Sequence, residues 1–303
     1  MDRVLLKGAL AELFDEGAAR FDASMAELTT FRIGGPADVL VEPRTAGEAR
    51  VVLEACRRLG VAVRVMGLGS DVLVADEGLR CVVVRIAESL SQVEVDGERM
   101  HVEAGASNAD VARRACEEGL AGYEFACGIP GTVGGALRMN AGSRDEWIGS
   151  RVVSVTTLSP GKGLVRRDGD QIAWGYRSSS FASDEVIVEC ELSVEPADPF
   201  FIRGKMEASH ARRKKTQPLS LPSCGSVFRN PEGAPVGALI EEAGLKGLRI
   251  GGAQVSEVHA NFIVNTGDAT ARDVLELINL VKTKVYETYG IELQPEVRFL
   301  GFA

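Results

Sequence analysis

The sequence has no paired cysteines, few histidines and no long apolar run. Its six cysteines lie far apart, at Cys56, Cys81, Cys116, Cys127, Cys190 and Cys224, and no two have C-x-x-C or metal-ligand spacing. We therefore expect free thiols in a reducing cytoplasm and no metal site. No stretch approaches the roughly 20 apolar residues of a membrane helix. The apolar N-terminal segment is interrupted by Lys7, which argues against a signal peptide.

An excess of positive charge is also missing. The net charge of -9 argues against a nucleic-acid partner, which would need a strongly basic surface. A local group of Arg and Lys side chains can still bind a small anionic ligand. The 303 residues, 45% of them hydrophobic, predict a soluble protein with two or three packed domains.

Short strands alternate with helices, without repeats or long linkers. A strand over 38–42 precedes a helix that begins at Thr45 and ends at Gly60, and a strand over 62–66 closes a β-α-β unit. A second helix runs from Ser107 to about Gly119. Later predicted elements are strands at 151–158 and 186–194, a basic helix at 203–215, a short helix at 236–243, strands near 250–255 and 261–265, and a long helix over 269–289. We place domain boundaries near 66 and 203.

The first glycine-rich loop is Gly67-Leu68-Gly69-Ser70-Asp71, directly after a predicted strand. Such a turn can direct main-chain amides at a phosphate. The loop is not a Rossmann fingerprint, because Val72 replaces the third glycine and a strand-like run, not a helix, follows. A plain β-turn is the alternative interpretation.

The second glycine-rich segment is Gly128-Ile129-Pro130-Gly131-Thr132-Val133-Gly134-Gly135-Ala136, which leads to Met139-Asn140-Ala141-Gly142. This density of glycine and proline predicts neither a regular helix nor a regular strand. An irregular wall of main-chain amides suits a flat cofactor with a diphosphate. The alternative is a structural Ω-loop.

Together with these loops, further blocks give the chain a family likeness. They are Thr30-Phe31-Arg32-Ile33-Gly34-Gly35-Pro36-Ala37, Gly175-Tyr176-Arg177, residues 223–231, residues 251–256 and Pro295-Glu296-Val297-Arg298. In this order, over nearly the whole chain, they resemble the UDP-N-acetylenolpyruvoylglucosamine reductases. The spacing between Arg177 and the basic helix leaves no room for the tyrosine-bearing loop of the longer subgroup, so the shorter type is expected.

The resemblance implies an α+β protein with an FAD-binding domain of the p-cresol methylhydroxylase/vanillyl-alcohol oxidase type, made of two α/β subdomains, and a C-terminal α+β substrate domain. With the boundaries above, residues 1–66 and 67–202 form the two flavin subdomains. Residues 203–303 form the substrate domain, and its last strand carries Glu296 back to the active site. We expect a cytoplasmic monomer.

The implied reaction is the NADPH-dependent reduction of UDP-N-acetylglucosamine enolpyruvate to UDP-N-acetylmuramate, through non-covalent FAD, in peptidoglycan precursor synthesis. Hydride addition at C3 places negative charge on C2 and the attached carboxylate, and this charge needs a cation and a hydrogen-bond donor. By resemblance, Arg177 is the cation, Glu296 in its protonated form is the donor, and Ser226 gives a proton to C2.

The resemblance also assigns binding residues. The cofactor set is Arg32, Gly67, Leu68, Gly69, Ser70, Asp71, Val72, Gly128, Ile129, Pro130, Gly131, Thr132, Gly134, Gly135, Asn140, Ala141 and Gly142. The substrate set is Tyr176, Lys214, Lys215, Asn230, Lys246, His259 and Arg298. Two positions depart from the family pattern, because Asp71 stands where most members have Asn, and Thr216 where many have Lys.

Each catalytic candidate also has a plainer interpretation. Arg177 could be a surface arginine, Ser226 a turn former and Glu296 an edge-strand carboxylate. The absence of G-x-S-x-G excludes Ser226 as a nucleophile of the α/β-hydrolase kind. For the whole chain, the alternatives are an FAD-dependent oxidase of the same fold class and a non-catalytic paralogue that binds nucleotide sugars. Oxidases often attach FAD to His or Cys, and Cys127 is the nearest such residue to the second glycine segment.

Overall fold

The computed structural model describes residues 2–143, 146–159 and 161–302. The chain divides into two compact units, each built from separate stretches of sequence. The first unit comprises the described residues of Met1–Phe21, Val39–Leu68 and Cys81–Arg212. The second comprises those of Asp22–Asp38, Gly69–Arg80 and Arg213–Ala303.

The helices of the described residues are α1 (Arg3–Ala9), α2 (Ala11–Asp15), α3 (Ala46–Leu59), α4 (Asn108–Glu117), α5 (Val133–Met139), α6 (Pro199–Thr216), α7 (Val236–Glu242) and α8 (Ala271–Tyr289). Short 3-10 helices lie at Met25–Glu27, Glu124–Ala126, Ile148–Ser150 and Gly169–Gln171. No helix in the described part of the chain is both long and apolar enough to cross a membrane.

The strands of the same residues are β1 (Ala19–Ser24), β2 (Pro36–Val41), β3 (Val63–Met66), β4 (Val72–Val74), β5 (Leu79–Arg85), β6 (Val93–Asp96), β7 (Arg99–Glu103), β8 (Leu120–Ala121), β9 (Gly142–Ser143), β10 (Glu146–Trp147), β11 (Val152–Ser159), β12 (Gly163–Asp168), β13 (Trp174–Gly175), β14 (Ser178–Ser179), β15 (Val186–Ser193), β16 (Glu195–Pro196), β17 (Ser223–Ser226), β18 (Arg249–Ile250), β19 (Ala253–Val255), β20 (Phe262–Asn265) and β21 (Arg298–Leu300).

The predicted ends of α3 and α4 are confirmed. The Thr45 hydroxyl accepts the main-chain N–H of Glu48, and Gly60 ends α3 in the left-handed conformation at φ +65°. The hydroxyl of Ser107 caps α4 in the same way. A side-chain acceptor at this position satisfies one of the N–H groups that a helix start leaves unpaired.

The long helix α8 is confirmed in its ends and its buried face. Thr270 and Asp273 form a reciprocal capping box, and Gly290 follows the last turn at φ +68°. Each side chain buried on its inner face contributes about 1.5–3 kcal/mol. These side chains include Val274, Leu277, Ile278, Val281 and Val285, which recur at helical spacing in the sequence.

Two sheets contribute most of the strands of the first unit. One is antiparallel, with the order β12-β11-β15-β7-β6. The other has the order β1-β2-β5-β3, and in it β3 runs parallel to β5. The two strands and the helix of the predicted β-α-β unit are present as β2, α3 and β3, and β5 lies between the two strands in the sheet. A continuous apolar core joins residues of these sheets to α1, α3, α4 and α5.

The second unit has its own antiparallel sheet and its own core. The sheet order is β17-β20-β19-β18, and β21 pairs in parallel with β4. The buried face of α8 shares a core with residues of β17, β19, β20 and α7. The strand predicted over 250–255 is in fact the two strands β18 and β19, because Gly251 turns the chain at φ +51°.

Two local predictions were wrong. The second glycine segment contains the regular helix α5, which begins immediately after Thr132. Its glycines occupy the first turn, where backbone N–H groups have no partner within the helix, and Gly134 N donates instead to Ala104 O at 2.8 Å. Glu296 was predicted on the last strand but precedes it, since β21 begins at Arg298.

Candidate active site

The first glycine loop begins in the first unit, directly after β3. Gly67 follows Met66, the last residue of that strand, and Leu68 continues the turn. A Cβ atom on Gly67 would overlap the hydroxyl oxygen of Thr132 and lie 3.1 Å from its methyl carbon. The start of the first loop therefore touches the second glycine segment, and the contact depends on the missing side chain.

The second glycine segment lies against the chain that enters α4. Asn108 N donates to Gly131 O at 3.2 Å, and Val133 N donates to Ala106 O at 2.8 Å. The Thr132 hydroxyl then accepts Gly135 N at 3.3 Å and caps α5. These bonds fix the path of the loop from both sides.

Several main-chain amides of this segment have no acceptor among the residues that the structure describes. Among the described residues, the N–H groups of Gly128, Gly131 and Thr132 donate to no oxygen, whereas Ile129 N donates to Ala126 O at 2.9 Å. Pro130 has no N–H to donate. A group with several oxygen acceptors, such as a diphosphate, would satisfy these amides, because backbone N–H groups in such a loop favour anions.

A buried polar pair supports the segment from inside. The hydroxyl of Tyr123, which is fully buried, donates to Asn108 Oδ1 at 2.8 Å, and burial raises its pKa well above the usual range. Asn108 Nδ2 in turn donates to Gly131 O at 3.3 Å and to Ile129 O at 3.5 Å. Neither residue could be recognised from the sequence, since a buried Asn in the first turn of a helix has no distinctive local pattern.

Asn140, Ala141 and Gly142 follow α5. Asn140 adopts the left-handed conformation at φ +44°, and its side chain donates to Gly175 O at 3.0 Å. Ala141 O accepts Ile148 N at 2.9 Å. A Cβ on Gly142, which pairs with Trp147, would overlap Glu146 O.

Arg177 lies in the first unit at the tip of a two-residue hairpin between β13 and β14. Trp174 pairs with Ser179 and Gly175 with Ser178, which leaves Tyr176 and Arg177 in the turn. Arg177 has a φ of +53°, a conformation that non-glycine residues seldom adopt. Its guanidinium carbon lies 5.2 Å from the centre of the Tyr176 ring. Tyr176 itself is exposed.

Ser226 and Glu296 lie close together in the second unit. Ser226 ends β17 and pairs with Phe262, and the next residue, Val227, accepts Glu296 N through its carbonyl at 2.7 Å. The side chains of Ser226 and Glu296 are both half-buried. The structure therefore brings these two catalytic candidates to adjacent stretches of backbone.

The end of the first loop lies in the second unit, beside the same strand. Gly69 O accepts Thr30 N at 3.2 Å, and the Thr30 hydroxyl donates to Ser223 O at 2.7 Å. Asp71 O accepts Arg298 N at 2.9 Å. Burial raises the pKa of the Cys224 thiol, and the negative charge of Asp71 raises it further. Ser70 connects Gly69 and Asp71.

Two other predicted residues of this unit have clear positions. Val72 is the first residue of β4 and pairs with Arg298. Arg32 has a φ of +55°, and its carbonyl, like that of Phe31, accepts Asn265 Nδ2.

Two of the substrate candidates stabilise neighbouring loops. Asn230 Oδ1 accepts Val236 N, the first residue of α7, at 3.0 Å. Burial lowers the pKa of His259, and the positive charge of Lys246 lowers it further. Its imidazole accepts Asn261 N through Nδ1 at 3.2 Å, which a neutral ring can do.

The candidate lysines differ in their surroundings. Lys246 is ion-paired with Glu241 at 2.7 Å. Lys214 and Lys215 are exposed in the last turn of α6, where cations interact favourably with the helix dipole. Thr216, one of the two departures from the family pattern, is the last residue of that helix.

Comparison with known proteins identifies two family models in chain order. The model "FAD binding domain" matches residues 37–169. The model "UDP-N-acetylenolpyruvoylglucosamine reductase, C-terminal domain" matches residues 217–300. The UDP-N-acetylenolpyruvoylglucosamine reductase of Alkaliphilus oremlandii is 41% identical over 99% of each chain. That of Synechococcus sp. is 43% identical over 97% of each chain.

The chain belongs to the UDP-N-acetylenolpyruvoylglucosamine reductase family. The crystal structure of the Thermus caldophilus reductase has a TM-score of 0.81 and 33% identity, and it covers 93% of this chain and 98% of its own. A glucose dehydrogenase, Phl p 4.0202, has a TM-score of 0.51 at 17% identity over 64% of this chain, which shows the fold alone. The α+β fold class predicted by resemblance, an oxidase-type FAD-binding domain followed by a C-terminal domain, is confirmed.

The contact between Gly67 and Thr132 allows a direct test of whether the two glycine-rich loops form the cofactor site. In Gly67→Ala, the added Cβ overlaps the Thr132 hydroxyl that caps α5, so one of the two loops must move. We expect the affinity of the apoprotein for FAD to fall at least ~10-fold, or about 1.4 kcal/mol, as measured by titration. The change should come from crowding alone, because Gly67 does not need a positive φ.

Gly204→Ala is the matched control. Gly204 lies inside α6, and no atom lies within 4 Å of the position that an added Cβ would take. Alanine in a helix interior is also more favourable than glycine. Its FAD affinity should equal that of the wild type. Equal affinities for all three proteins would show that the Gly67–Thr132 contact is not part of a cofactor site.

Proposed function

We propose that this protein reduces UDP-N-acetylglucosamine enolpyruvate to UDP-N-acetylmuramate with NADPH, through non-covalently bound FAD, in peptidoglycan precursor synthesis. The observation that carries the proposal is its relation to named reductases over 97–99% of both chains. The FAD-binding model matches residues 37–169, and the C-terminal reductase model follows it at residues 217–300.

The cofactor site in this proposal is formed largely by backbone. The amides of Gly128, Gly131 and Thr132, which donate to no acceptor in the described residues, would bind the diphosphate. Gly67 leaves room beside them. When bound, FAD supplies to C3 of the enolpyruvyl group the hydride that it receives from NADPH. The remaining predicted cofactor residues stay part of the proposal.

Ser226 and Glu296 complete the addition on the substrate side. Once C3 has received hydride, C2 needs a proton, and the Ser226 hydroxyl is proposed to provide it. Glu296, in its protonated form, is proposed to donate a hydrogen bond to the substrate carboxylate while negative charge develops there. The bond from Glu296 N to Val227 O supports this assignment, because it joins the two residues through one peptide link.

Arg177 is the proposed cation of the same charge-stabilising group. A planar guanidinium can hold a carboxylate through two parallel hydrogen bonds. The position of Arg177 at a hairpin tip, with an aromatic side chain beside its guanidinium, supports a role in binding a ligand.

The domain roles and the cell location complete the proposal. Residues 1–66 and 67–202 are proposed as two FAD-binding subdomains, and residues 203–303 as the substrate domain of a monomer. Tyr176, Lys214, Lys215, Asn230, Lys246, His259 and Arg298 are proposed to bind the substrate. All six cysteines are buried thiols that form no disulfide, which supports a reducing cytoplasm.

The purified protein should be yellow, and it should oxidise NADPH only when the enolpyruvyl sugar nucleotide is present. The near-ultraviolet absorbance of NADPH and the flavin spectrum measure both properties, and acid precipitation should release all of the flavin. Reoxidation by oxygen alone, with flavin retained in the precipitate, would favour an oxidase linked through Cys127. An NADPH-inert protein that binds the nucleotide sugar would favour the non-catalytic paralogue.

Ser226→Ala should separate the two half-reactions. The proposed proton transfer follows hydride addition, so anaerobic bleaching of FAD by NADPH should remain at the wild-type rate. Reoxidation by the enolpyruvyl substrate should slow at least ~10²-fold, the lower range for general-acid catalysis. Stopped-flow absorbance of the flavin measures each step. Ser223→Ala, on the same strand, is the control, and equal slowing of both steps in Ser226→Ala would indicate a structural role.

Glu296→Gln and Glu296→Ala should differ in the second half-reaction. The amide of Gln can still donate a hydrogen bond to the substrate carboxylate, whereas Ala provides no donor. We therefore expect reoxidation at least ~10-fold faster in the Gln variant than in the Ala variant, within the range for one preorganised donor. Glu292→Gln, at an exposed position, controls for the charge change. Wild-type rates in Glu296→Ala would exclude the proposed role.

A further inference from the structure

The hairpin that carries Arg177 has little support of its own. It consists of two residue pairs, Trp174 with Ser179 and Gly175 with Ser178, and isolated two-stranded hairpins are at best marginally stable. Arg177 also has a positive φ, which persists only when the surroundings hold it. The position of its guanidinium therefore depends on contacts made by other parts of the first unit.

Asn140 makes the most direct of these contacts. Its Nδ2 donates to Gly175 O at 3.0 Å, and its Oδ1 accepts Gly149 N at 3.1 Å. One end of the amide therefore meets an acceptor and the other a donor, which fixes its orientation. The Asn140 side chain is buried at the C-terminal end of α5. The carbonyl to which it donates belongs to Gly175, two residues before Arg177.

A second set of contacts holds the other strand of the hairpin to the same end of α5. The Ser179 hydroxyl donates to Arg138 O at 2.8 Å. The Arg138 guanidinium donates to Phe181 O at 3.0 Å, to Ala182 O at 2.6 Å and to Glu185 O at 2.5 Å. Both strands of the hairpin are therefore bound to the last residues of α5.

Packing around Asn140 leaves it little freedom to move. A Cβ on Gly149 would lie 2.5 Å from the Trp174 ring and 2.8 Å from Asn140 Oδ1. The Trp174 ring in turn packs edge-on against Phe181, with ring centres 5.9 Å apart. The Asn140 amide thus sits between the Ile148–Ser150 turn and the hairpin, and it connects them through hydrogen bonds on both sides.

We propose that Asn140 is a positioning residue for the reduction, which acts by holding the Gly175–Arg177 turn so that Arg177 faces the substrate carboxylate. This inference rests on the role of Arg177 in the proposed function. It gives Asn140 a task beyond the cofactor contact expected from its place in the glycine segment. Thr132, in the proposed FAD-binding loop, caps the N-terminal end of α5, and Asn140 follows its C-terminal end. One short helix therefore connects that loop to the Arg177 hairpin.

Asn140→Asp is the sharpest substitution. Asp tolerates the left-handed conformation nearly as well as Asn and can still accept Gly149 N, but its carboxylate cannot donate to Gly175 O. Because Asn140 also belongs to the proposed cofactor set, both half-reactions are measured at saturating FAD, and the slowing of reoxidation should clearly exceed any slowing of FAD bleaching by NADPH. Reoxidation by the enolpyruvyl substrate should slow ~10- to 100-fold, as expected when a catalytic group is misplaced.

Two further variants support the comparison. Asn140→Gly removes the whole side chain without straining a positive φ, and it should slow reoxidation to a similar extent. Asn279→Asp makes the same charge change at an exposed position of α8, and it should behave as wild type.

A double-mutant cycle with Arg177→Ala separates positioning from general damage. If Asn140 acts through Arg177, Asn140→Asp should slow reoxidation no further once Arg177 has been replaced. Fully multiplicative effects would overturn the inference. So would wild-type reoxidation in Asn140→Asp.

The apoprotein provides a readout that is independent of the flavin. In Trp147→Phe, Trp174 is the remaining tryptophan, and it adjoins Gly175. Acrylamide should quench its fluorescence more strongly when Asn140→Asp is added. An unchanged quenching constant would show that Asn140 does not hold the hairpin in place.

If the wild type is bleached by NADPH but not reoxidised by the enolpyruvyl substrate, the proposed function fails and the inference with it. A normal wild type with a normal Asn140→Asp variant refutes the inference alone.

Discussion

The absence of a side chain at Gly67 is the constraint on which the proposed cofactor site depends. The Thr132 hydroxyl occupies the space that a Cβ would need, and the same hydroxyl caps α5. A single close approach therefore sets both the separation of the two glycine loops and the start of a helix. The amides of Gly128, Gly131 and Thr132 keep their direction because the buried pair of Asn108 and Tyr123 holds the loop from behind.

In the second unit, the corresponding constraint is a backbone bond. Val227 O accepts Glu296 N, so the strand with Ser226 and the segment with Glu296 cannot shift independently. Asp71 O is bonded in turn to Arg298 N, which connects the end of the first loop to the same segment. Burial raises the pKa of the Cys224 thiol, and the nearby charges of Asp71 and Glu296 raise it further.

The sequence predicted what depends on local signals. The caps at Thr45 and Ser107 and the spacing of apolar residues in α8 are contained in a few neighbouring residues, and these helices are present as expected. The helix α5 was missed, because glycines weaken helix propensity and part of its support comes from a distant residue, Ala104, whose carbonyl accepts Gly134 N. The blocks of the family pattern indicated the candidate site, but not the residues that support it, since a buried Asn gains its partners through tertiary folding.

The residues that hold the Arg177 hairpin in place are polar for a physical reason. A hairpin of two residue pairs buries too little apolar surface to be held by packing, so directional hydrogen bonds must fix it. Asn140, Ser179 and Arg138 provide them, and each donates to a main-chain carbonyl: Asn140 to one in the hairpin, Ser179 to one at the end of α5, and Arg138 to Phe181 O in the segment that follows the hairpin. Because a carbonyl oxygen can only accept a hydrogen bond, each of these bonds requires a side chain that carries a donor and is long enough to reach that oxygen. The orientation of a strained arginine is thus determined by an amide and a hydroxyl that need not touch the substrate themselves.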